Sequence, residues 1–338
     1  MKAQLRTSVA VLSVLAATSA FAADGESDWF ASLYTGEGIE LRADERVFTL
    51  YALLNAMGYD EGPVAREFPL PRYQFHPVRQ QVRTKLLSAP PDVRDQANAF
   101  FDSHAKPVEH YLRYALHSAP PPFTSGAKAK ELQDLKGLEG LLKATWTQWK
   151  LDDLMAQVQG EYRKGLKAWL VAVDEPMLKA RKLLSVPANG PQSMLVLNLL
   201  EAENRVTGVM GDGEVVLVVG PSSRPDVPAL LAEYARVFVE PKVAKKAQGS
   251  WGGGAILLRE AQLLGAPETT VGEYATTLFT QAVALKATNA PDSAYDALAQ
   301  KGYHGVKDIA LQLEDGKPVE AWALDALKKA ETRRPARK

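Results

Sequence analysis

The sequence predicts an α+β protein that is predominantly helical, with one small β-sheet in its second half. Apolar side chains recur at helical spacing through most of the chain. By contrast, residues 193–200 and 214–219 are rich in β-branched and other apolar residues, and a polar, glycine-containing region separates them. The chain has 338 residues, of which 46% are hydrophobic, so it can bury a sizeable core.

Residues 1–22 have the pattern of a secretory signal peptide. Lys2 and Arg6 supply positive charge, an apolar run covers residues 9–17, and Ala20-Phe21-Ala22 forms an A-x-A cleavage pattern. The apolar run is shorter than the ~20 residues that span a bilayer, and no later segment is long and apolar enough. We therefore expect an exported protein, in the periplasm or outside the cell, with no integral membrane segment after cleavage.

Composition narrows the possible functions. There is no cysteine, so disulfides, a thiol nucleophile and a cysteine-ligated metal are excluded. The 40 basic and 40 acidic residues balance, and nothing in that balance indicates a nucleic-acid partner.

Residues 23–190 form a helical N-terminal part. A short strand is predicted at 39–41, and Asp44 is the predicted N-cap of a helix over 45–57. From 127 to 184 the pattern is almost continuously helical, and Asp174-Glu175-Pro176 is expected to interrupt it. The other predicted helices of this part cover residues 77–88, 91–103 and 107–117.

Residues 191–330 contain the two β-rich runs followed by helices. Gly211-Asp212-Gly213 is a predicted hairpin turn. Asp226 is the predicted N-cap of a helix over 227–239 that Pro241 should end. Residues 331–338 are expected to form a disordered basic tail. One further predicted helix follows Gly252-Gly253-Gly254 and extends to Gly265, and the others cover residues 271–287, 291–301, 305–312 and 318–330.

The sequence AEYAR, from Ala232 to Arg236, has the frame of the H-E-x-x-H zinc-peptidase motif but neither histidine. In that motif, two histidines one helical turn apart bind one zinc ion, and the glutamate acts as general base on the metal-bound water. Here the base position is kept as Glu233. Alanine cannot bind a metal, and the always protonated arginine repels one.

Glu260 is a second candidate. On a helical wheel of AILLREAQLLG, it falls among Ile256, Leu257, Leu263 and Leu264, so we expect it to face the interior. A buried carboxylate needs a partner, and a glutamate ligand of the metal would lie on such a later helix.

The sequence resembles a family of secreted bacterial proteins that are similar to glutamate-zincin metallopeptidases. The resemblance is carried by IELRADERVFTLYALLNAMGY, FFDSHAKPVEHYLRYAL, TWTQWKLDDLMAQVQGEYRKGL, LVLNLLEA, LVVGP and AEYARVFVEP. It implies a zincin-like fold, in which a small sheet with its edge strand along a cleft precedes the active-site helix. It also implies that Ala232 and Arg236 match the histidine ligands, Glu233 the base and Glu260 the third ligand.

Because both histidines are replaced, we expect no metal and no cofactor. We also expect the guanidinium of Arg236 to replace the zinc as the cation that neutralises Glu260. The alternative for this helix is an ordinary solvated row of ion pairs formed by Glu233, Arg236 and Glu240.

The predicted function is therefore that of an exported, catalytically inactive metallopeptidase-like protein that binds a peptide or protein or has an envelope role. One alternative is an active hydrolase with a relocated or absent metal site. The other is a purely structural helical envelope protein.

The histidines of residues 104–117 do not form a convincing metal set. Pro107 separates His104 from the other two, and the seven-residue spacing puts His110 and His117 ~10 Å apart along a helix. We therefore expect these three histidines to be ordinary helix residues that bind no metal.

Overall fold

A computed structural model describes residues 32–35, 38–59, 74–87, 91–211 and 213–332. Within these ranges the protein is α+β and predominantly helical, as the sequence predicts. The predicted signal peptide lies outside the described residues. So does the predicted basic tail, except for residues 331 and 332, which end the last helix.

One mixed sheet lies at the centre of the fold. Its order is β1-β2-β3-β5-β4, in which β2, β3 and β5 are parallel and the two outer strands are antiparallel to their neighbours. The central strands are almost entirely buried, which explains why they read as continuous apolar runs. The strands are β1 (Leu33–Tyr34), β2 (Glu40–Arg42), β3 (Gln192–Leu197), β4 (Val206–Met210) and β5 (Glu214–Val219).

The sheet confirms the strands predicted near 39–41, 193–200 and 214–219, but the sequence missed β4. Its five residues, VTGVM, include a glycine, which weakens a strand pattern. β4 and β5 form the hairpin predicted at the G-D-G turn, and the N–H of Gly211 donates to Glu214 O at 2.7 Å. β4 is therefore an edge strand of the sheet.

Helices precede β3. Asp44 caps α1 as predicted, since its side chain accepts the N–H groups of Arg46 and Val47. The expected break at Pro176 is wrong: α7 continues through it, because Trp169, Val173 and Met177 bury one continuous face on both sides of the proline. The helices are α1 (Glu45–Ala56), α2 (Pro77–Leu87), α3 (Pro91–Ser103), α4 (Val108–His117), α5 (Leu138–Gln148), α6 (Leu151–Gln157) and α7 (Gln159–Leu183), with a 3-10 helix at Lys130–Leu135.

Further helices follow β5. Pro241 does not end α8, contrary to the prediction, because Val239, Val243 and Ala247 keep one face buried beyond it. The central helix of this part is α10, which is buried on most of its surface and packs along α8. The helices are α8 (Val227–Ser250), α9 (Gly254–Leu263), α10 (Val271–Ala287), α11 (Asp292–Gln300), α12 (Val306–Gln312) and α13 (Ala323–Thr332), with a 3-10 helix at Val319–Ala321.

The sheet joins the two parts of the chain. α7 contacts β1, β2 and β3, α8 contacts β4 and β5, and the two helices contact each other. The indole of Trp169 on α7 donates to Gly220 O, directly after β5, at 3.3 Å. In the described part of the chain, no helix combines the length and apolar character that crossing a membrane requires.

Candidate functional site

The sequence places the AEYAR segment on α8, directly after β5. Asp226 caps this helix through a 3.0 Å bond from Ala229 N–H. Leu230, Leu231 and Tyr234 are fully buried on one face. Ala232, Glu233 and Arg236 lie on another face and are only partly buried. This second face forms one wall of a cleft.

The cleft has a volume of about 690 Å³ and lies between α8, the edge strand β4 and α10. Val206 of β4 borders it, and residues 264–266 with Glu268 form its opposite wall. The other residues that line it are Ala229, Ala232, Glu233, Arg236, Thr276, Thr277, Thr280, Gln281, Leu298, Lys301 and Tyr303. The structure thus brings together Ala232, Glu233 and Arg236, three of the four residues that the sequence singles out.

Glu233 and Arg236 together hold the backbone of Gly208 at the centre of β4. Glu233 Oε1 accepts the N–H of Gly208 at 2.9 Å, and Arg236 Nη2 donates to the carbonyl of Gly208 at 2.8 Å. Arg236 also donates to both Glu233 oxygens, through Nε at 3.0 Å and Nη2 at 2.6 Å. We call this arrangement of Glu233, Arg236 and Gly208 the edge clamp.

The edge clamp occupies backbone groups that a neighbouring strand would otherwise use. In an antiparallel ladder, the N–H and C=O of alternate residues point away from the partner strand. Because both groups of Gly208 point toward α8, those of Val206 and Met210 point to the same free edge. Glu233 and Arg236 therefore stand where the next strand of the sheet would lie.

The charges of the edge clamp are well balanced. Burial alone would lower the pKa of Arg236, but hydrogen bonds to Glu233 and Glu240 and their negative charges raise it, so the guanidinium stays charged. Glu240 accepts from Nη1 at 2.7 Å and is half exposed. The row of ion pairs anticipated as an alternative therefore exists, but its inner pair is also bonded to the sheet.

Glu260 does not meet Arg236, and the ion pair predicted between them is wrong. The guanidinium pairs with Glu233 and Glu240 instead, and Glu260 is not among the residues that line the cleft. It is half-buried on α9.

The predicted face of α9 is also wrong. Leu257, Leu258 and Ala261 are buried, whereas Ile256 and Leu263 are 54% and 76% exposed. α9 packs against α10 and α13, and a helical wheel of α9 alone cannot show which of its faces those neighbours bury.

The carboxylate that faces the cleft from the opposite wall belongs to Glu268. It accepts from Thr277 Oγ1 at 2.7 Å and from the Tyr303 hydroxyl at 3.0 Å. Burial and the charge of Glu268 raise the pKa of Tyr303, so the phenol remains a donor. Sequence reasoning missed Glu268 because it lies in the loop between α9 and α10. In a loop, no helical or strand periodicity indicates which way a side chain points.

A zinc ion does not fit the residues of this cleft. Ala232 offers no donor atom, and the guanidinium of Arg236 already binds the carboxylate of Glu233. In the ranges that the structure describes, no group of three or more His, Asp or Glu side chains is arranged to hold a metal ion.

The arrangement offers hydrogen-bond donors and acceptors rather than an activated nucleophile. Threonine side chains, Val206 of the edge strand and the carboxylate of Glu268 surround the open space. Searches of protein-family models, curated proteins and solved structures found no match to this chain.

Proposed function

We propose that this chain is an exported, catalytically inactive relative of the glutamate-zincin metallopeptidases that binds a peptide or protein segment in the cleft beside β4. The fold supports this proposal through three consecutive elements: the edge strand β4, the parallel strand β5 and the helix α8. The resemblance of the sequence implies a sheet with its edge strand along a cleft before the helix, and the proposal is supported by Val206 of the edge strand β4, which borders the cleft.

The edge clamp is the observation that carries the proposal of inactivity. A general base must reach the proton that it abstracts, by direct contact or through one water. Glu233 Oε1 instead accepts from Gly208 N–H and from Arg236, and its Oε2 accepts from Arg236 Nε. The same guanidinium supplies positive charge at the position that the resemblance assigns to the second histidine ligand.

The shape and lining of the cleft favour an extended ligand. A neighbouring cavity of about 540 Å³ shares Arg236, Glu268, Thr276 and Thr277 with it and extends to Gln248 on α8. From Ala229 to Gln248, α8 covers ~28 Å at 1.5 Å per residue. That length matches roughly eight residues of extended peptide. Acidic, basic and hydroxyl side chains line both cavities and offer donors and acceptors to a peptide backbone.

Peptide binding is testable by filling the cleft. The full chain is screened against a library of fluorescent peptides of eight to ten residues, and the best ligand is titrated by fluorescence anisotropy. Ala232→Trp places an indole in the cleft and should weaken binding at least tenfold. The control is Ala156→Trp on the exposed surface of α6, which should leave the dissociation constant unchanged.

Two results would contradict the proposal. Equal binding by Ala232→Trp and the parent protein, with the same circular dichroism spectrum, would place the ligand elsewhere, and the absence of any peptide ligand would remove the binding role. Stoichiometric zinc in the purified protein, with peptidase activity lost on chelation, would show an active enzyme.

A further inference from the structure

A second polar cavity lies at the other end of β4. Its volume is about 700 Å³, and Met210 and Gly211 at the end of the strand border it. The remaining walls come from the end of α4, the loop after it and the first residues of the 3-10 helix. They are formed by Arg113, His117, Ser118, Ala119, Ser125, Gly126, Lys128, Ala129 and Glu131. The edge clamp at Gly208 separates this cavity from the cleft along β4.

The cavity has an excess of positive side chains. Arg113 and Lys128 are the basic side chains there, His117 adds a third nitrogen-bearing side chain, and Glu131 is the one acidic side chain among its lining residues. The Arg113 guanidinium is weakly engaged: Nη2 lies 3.4 Å from Glu131 Oε1, at the limit of a hydrogen bond. Its Nε is buried and has no hydrogen-bond partner among the described residues.

Arg113 is therefore an under-used donor. Glu131, its partner, is 61% exposed and can rotate into solvent, whereas the Arg113 side chain is held at 32% exposure. Because Nε is closed to solvent, an anion in the cavity would contact the terminal nitrogens of the guanidinium, whose bond to Glu131 is long.

The edge of β4 adds a backbone donor. Gly208 directs its N–H away from β5, and Met210, two residues further along an uninterrupted register, directs its N–H to the same side. The 2.7 Å bond of Gly211 to Glu214 fixes the same alternation from the hairpin end. The N–H of Met210 is therefore directed away from β5, and Met210 borders the cavity.

We propose that this cavity binds an oxyanion, a phosphate or carboxylate group, between the Arg113 guanidinium, the Lys128 ammonium, His117 and the Met210 N–H. Arg113 supplies the directional contact, because a guanidinium presents parallel N–H groups that match two oxygens of such a group. Glu131 competes with the ligand for Arg113 and tunes the affinity.

Because Glu131 competes with the anion for Arg113, substitutions of these two residues should change the anion affinity in opposite directions. Isothermal titration calorimetry of the full chain at low ionic strength uses inorganic phosphate in one arm and succinate in the other. Arg113→Gln should weaken binding at least tenfold. Glu131→Gln should strengthen it several-fold, because it frees the guanidinium.

Matched controls separate a site from general surface charge. Arg163→Gln and Glu175→Gln make the same charge changes at exposed positions of α7 and should alter the dissociation constant less than twofold. Binding of phosphate alone identifies a phosphate site, binding of succinate alone a carboxylate site, and either supports the proposal. Binding of neither anion overturns it, as does an Arg113→Gln effect no larger than that of Arg163→Gln.

Discussion

At the scale of single residues, the structure brings together three of the four residues that the sequence singles out. Ala232, Glu233 and Arg236 line the cleft, whereas Glu260 does not. The guanidinium of Arg236 binds Glu233 and the backbone of Gly208. Positions one turn apart on a helix follow from helical geometry. A partner on a distant segment depends on how that segment rotates, which the sequence of α9 alone does not determine.

The edge clamp gives a graded prediction for Arg236. Arg236→Ala removes the donors to Glu233 and to the Gly208 carbonyl, and should lower the free energy of unfolding by about 1–2 kcal/mol, since the pair is only partly buried. Glu240→Gln changes a half-exposed outer partner and should cost less than about 0.5 kcal/mol. Urea unfolding measures the free energy of unfolding of both variants. Equal losses would show that the edge clamp stabilises the protein no more than an ordinary surface ion pair does.

Glu45 predicts a dependence of stability on pH. Burial, together with the negative charges of Asp44 and Asp152, raises its pKa from 4.5 to about 7, although Arg46 opposes the shift. An acid whose pKa is higher in the folded state contributes stability that is complete below pH 4.5 and lost as the pH rises through 7.

Glu45→Gln removes the free-energy cost of ionising Glu45 in the folded protein. The variant should be about 1–2 kcal/mol more stable than the parent at pH 8, after allowing for the partial exposure of Glu45, and no more stable at pH 4. Urea unfolding at both pH values checks this, with Glu175→Gln as an exposed control. A Glu45→Gln protein that is less stable than the parent at pH 8 would show that the carboxylate is favourably paired.

At the scale of elements, local signals predicted most helices and failed where packing outweighs them. Asp44 and Asp226 cap α1 and α8 as their positions predict. Pro176 and Pro241 do not break their helices, because each removes one backbone hydrogen bond while large buried faces continue on both sides. β4 could not be predicted, because its stability comes from pairing with β5 and from the edge clamp rather than from its own five residues.

The close approach of α8 to β4 leaves little room for a side chain at position 208. A Cβ atom there would lie 3.1 Å from Leu217 Cδ2 and 3.2 Å from both Cγ and the carbonyl oxygen of Glu233. Gly208→Ala should therefore push the helix from the strand and destabilise the protein by about 1–3 kcal/mol.

Gly249 on the same helix is the matched control. A Cβ there would meet no atom within 4 Å, so Gly249→Ala should be neutral or stabilise by up to about 1 kcal/mol through helix propensity. Thermal unfolding of both variants tests the contrast, and similar melting temperatures for the two would contradict a tight contact between α8 and β4.

At the scale of the whole molecule, the two parts of the chain share one sheet. Leu41 of β2 is fully buried and pairs with Leu195 of β3, and the Trp169 indole binds the backbone after β5. The sequence predicted the short strand near 39–41, but no local pattern shows that it joins strands some 150 residues later. Pairing at such sequence separation is decided by the assembled core.

A shared sheet predicts that the protein unfolds as one cooperative unit. Tryptophan fluorescence and far-UV circular dichroism should give coincident urea transitions, because residues on both sides of position 190 bury the same strands. The fragment 191–332 should not fold alone, because β3 would lack β2 on one side. Two separated transitions, or a folded fragment, would show that the parts are independent.

The edge clamp also affects how copies of this protein behave toward each other. A strand with open N–H and C=O groups can template the addition of a strand from another molecule, which leads to aggregation. At the centre of β4 both groups are already bound, and a charged guanidinium and carboxylate cover them. The ion pair of Glu233 and Arg236 therefore also protects concentrated protein against edge-to-edge association of its sheets.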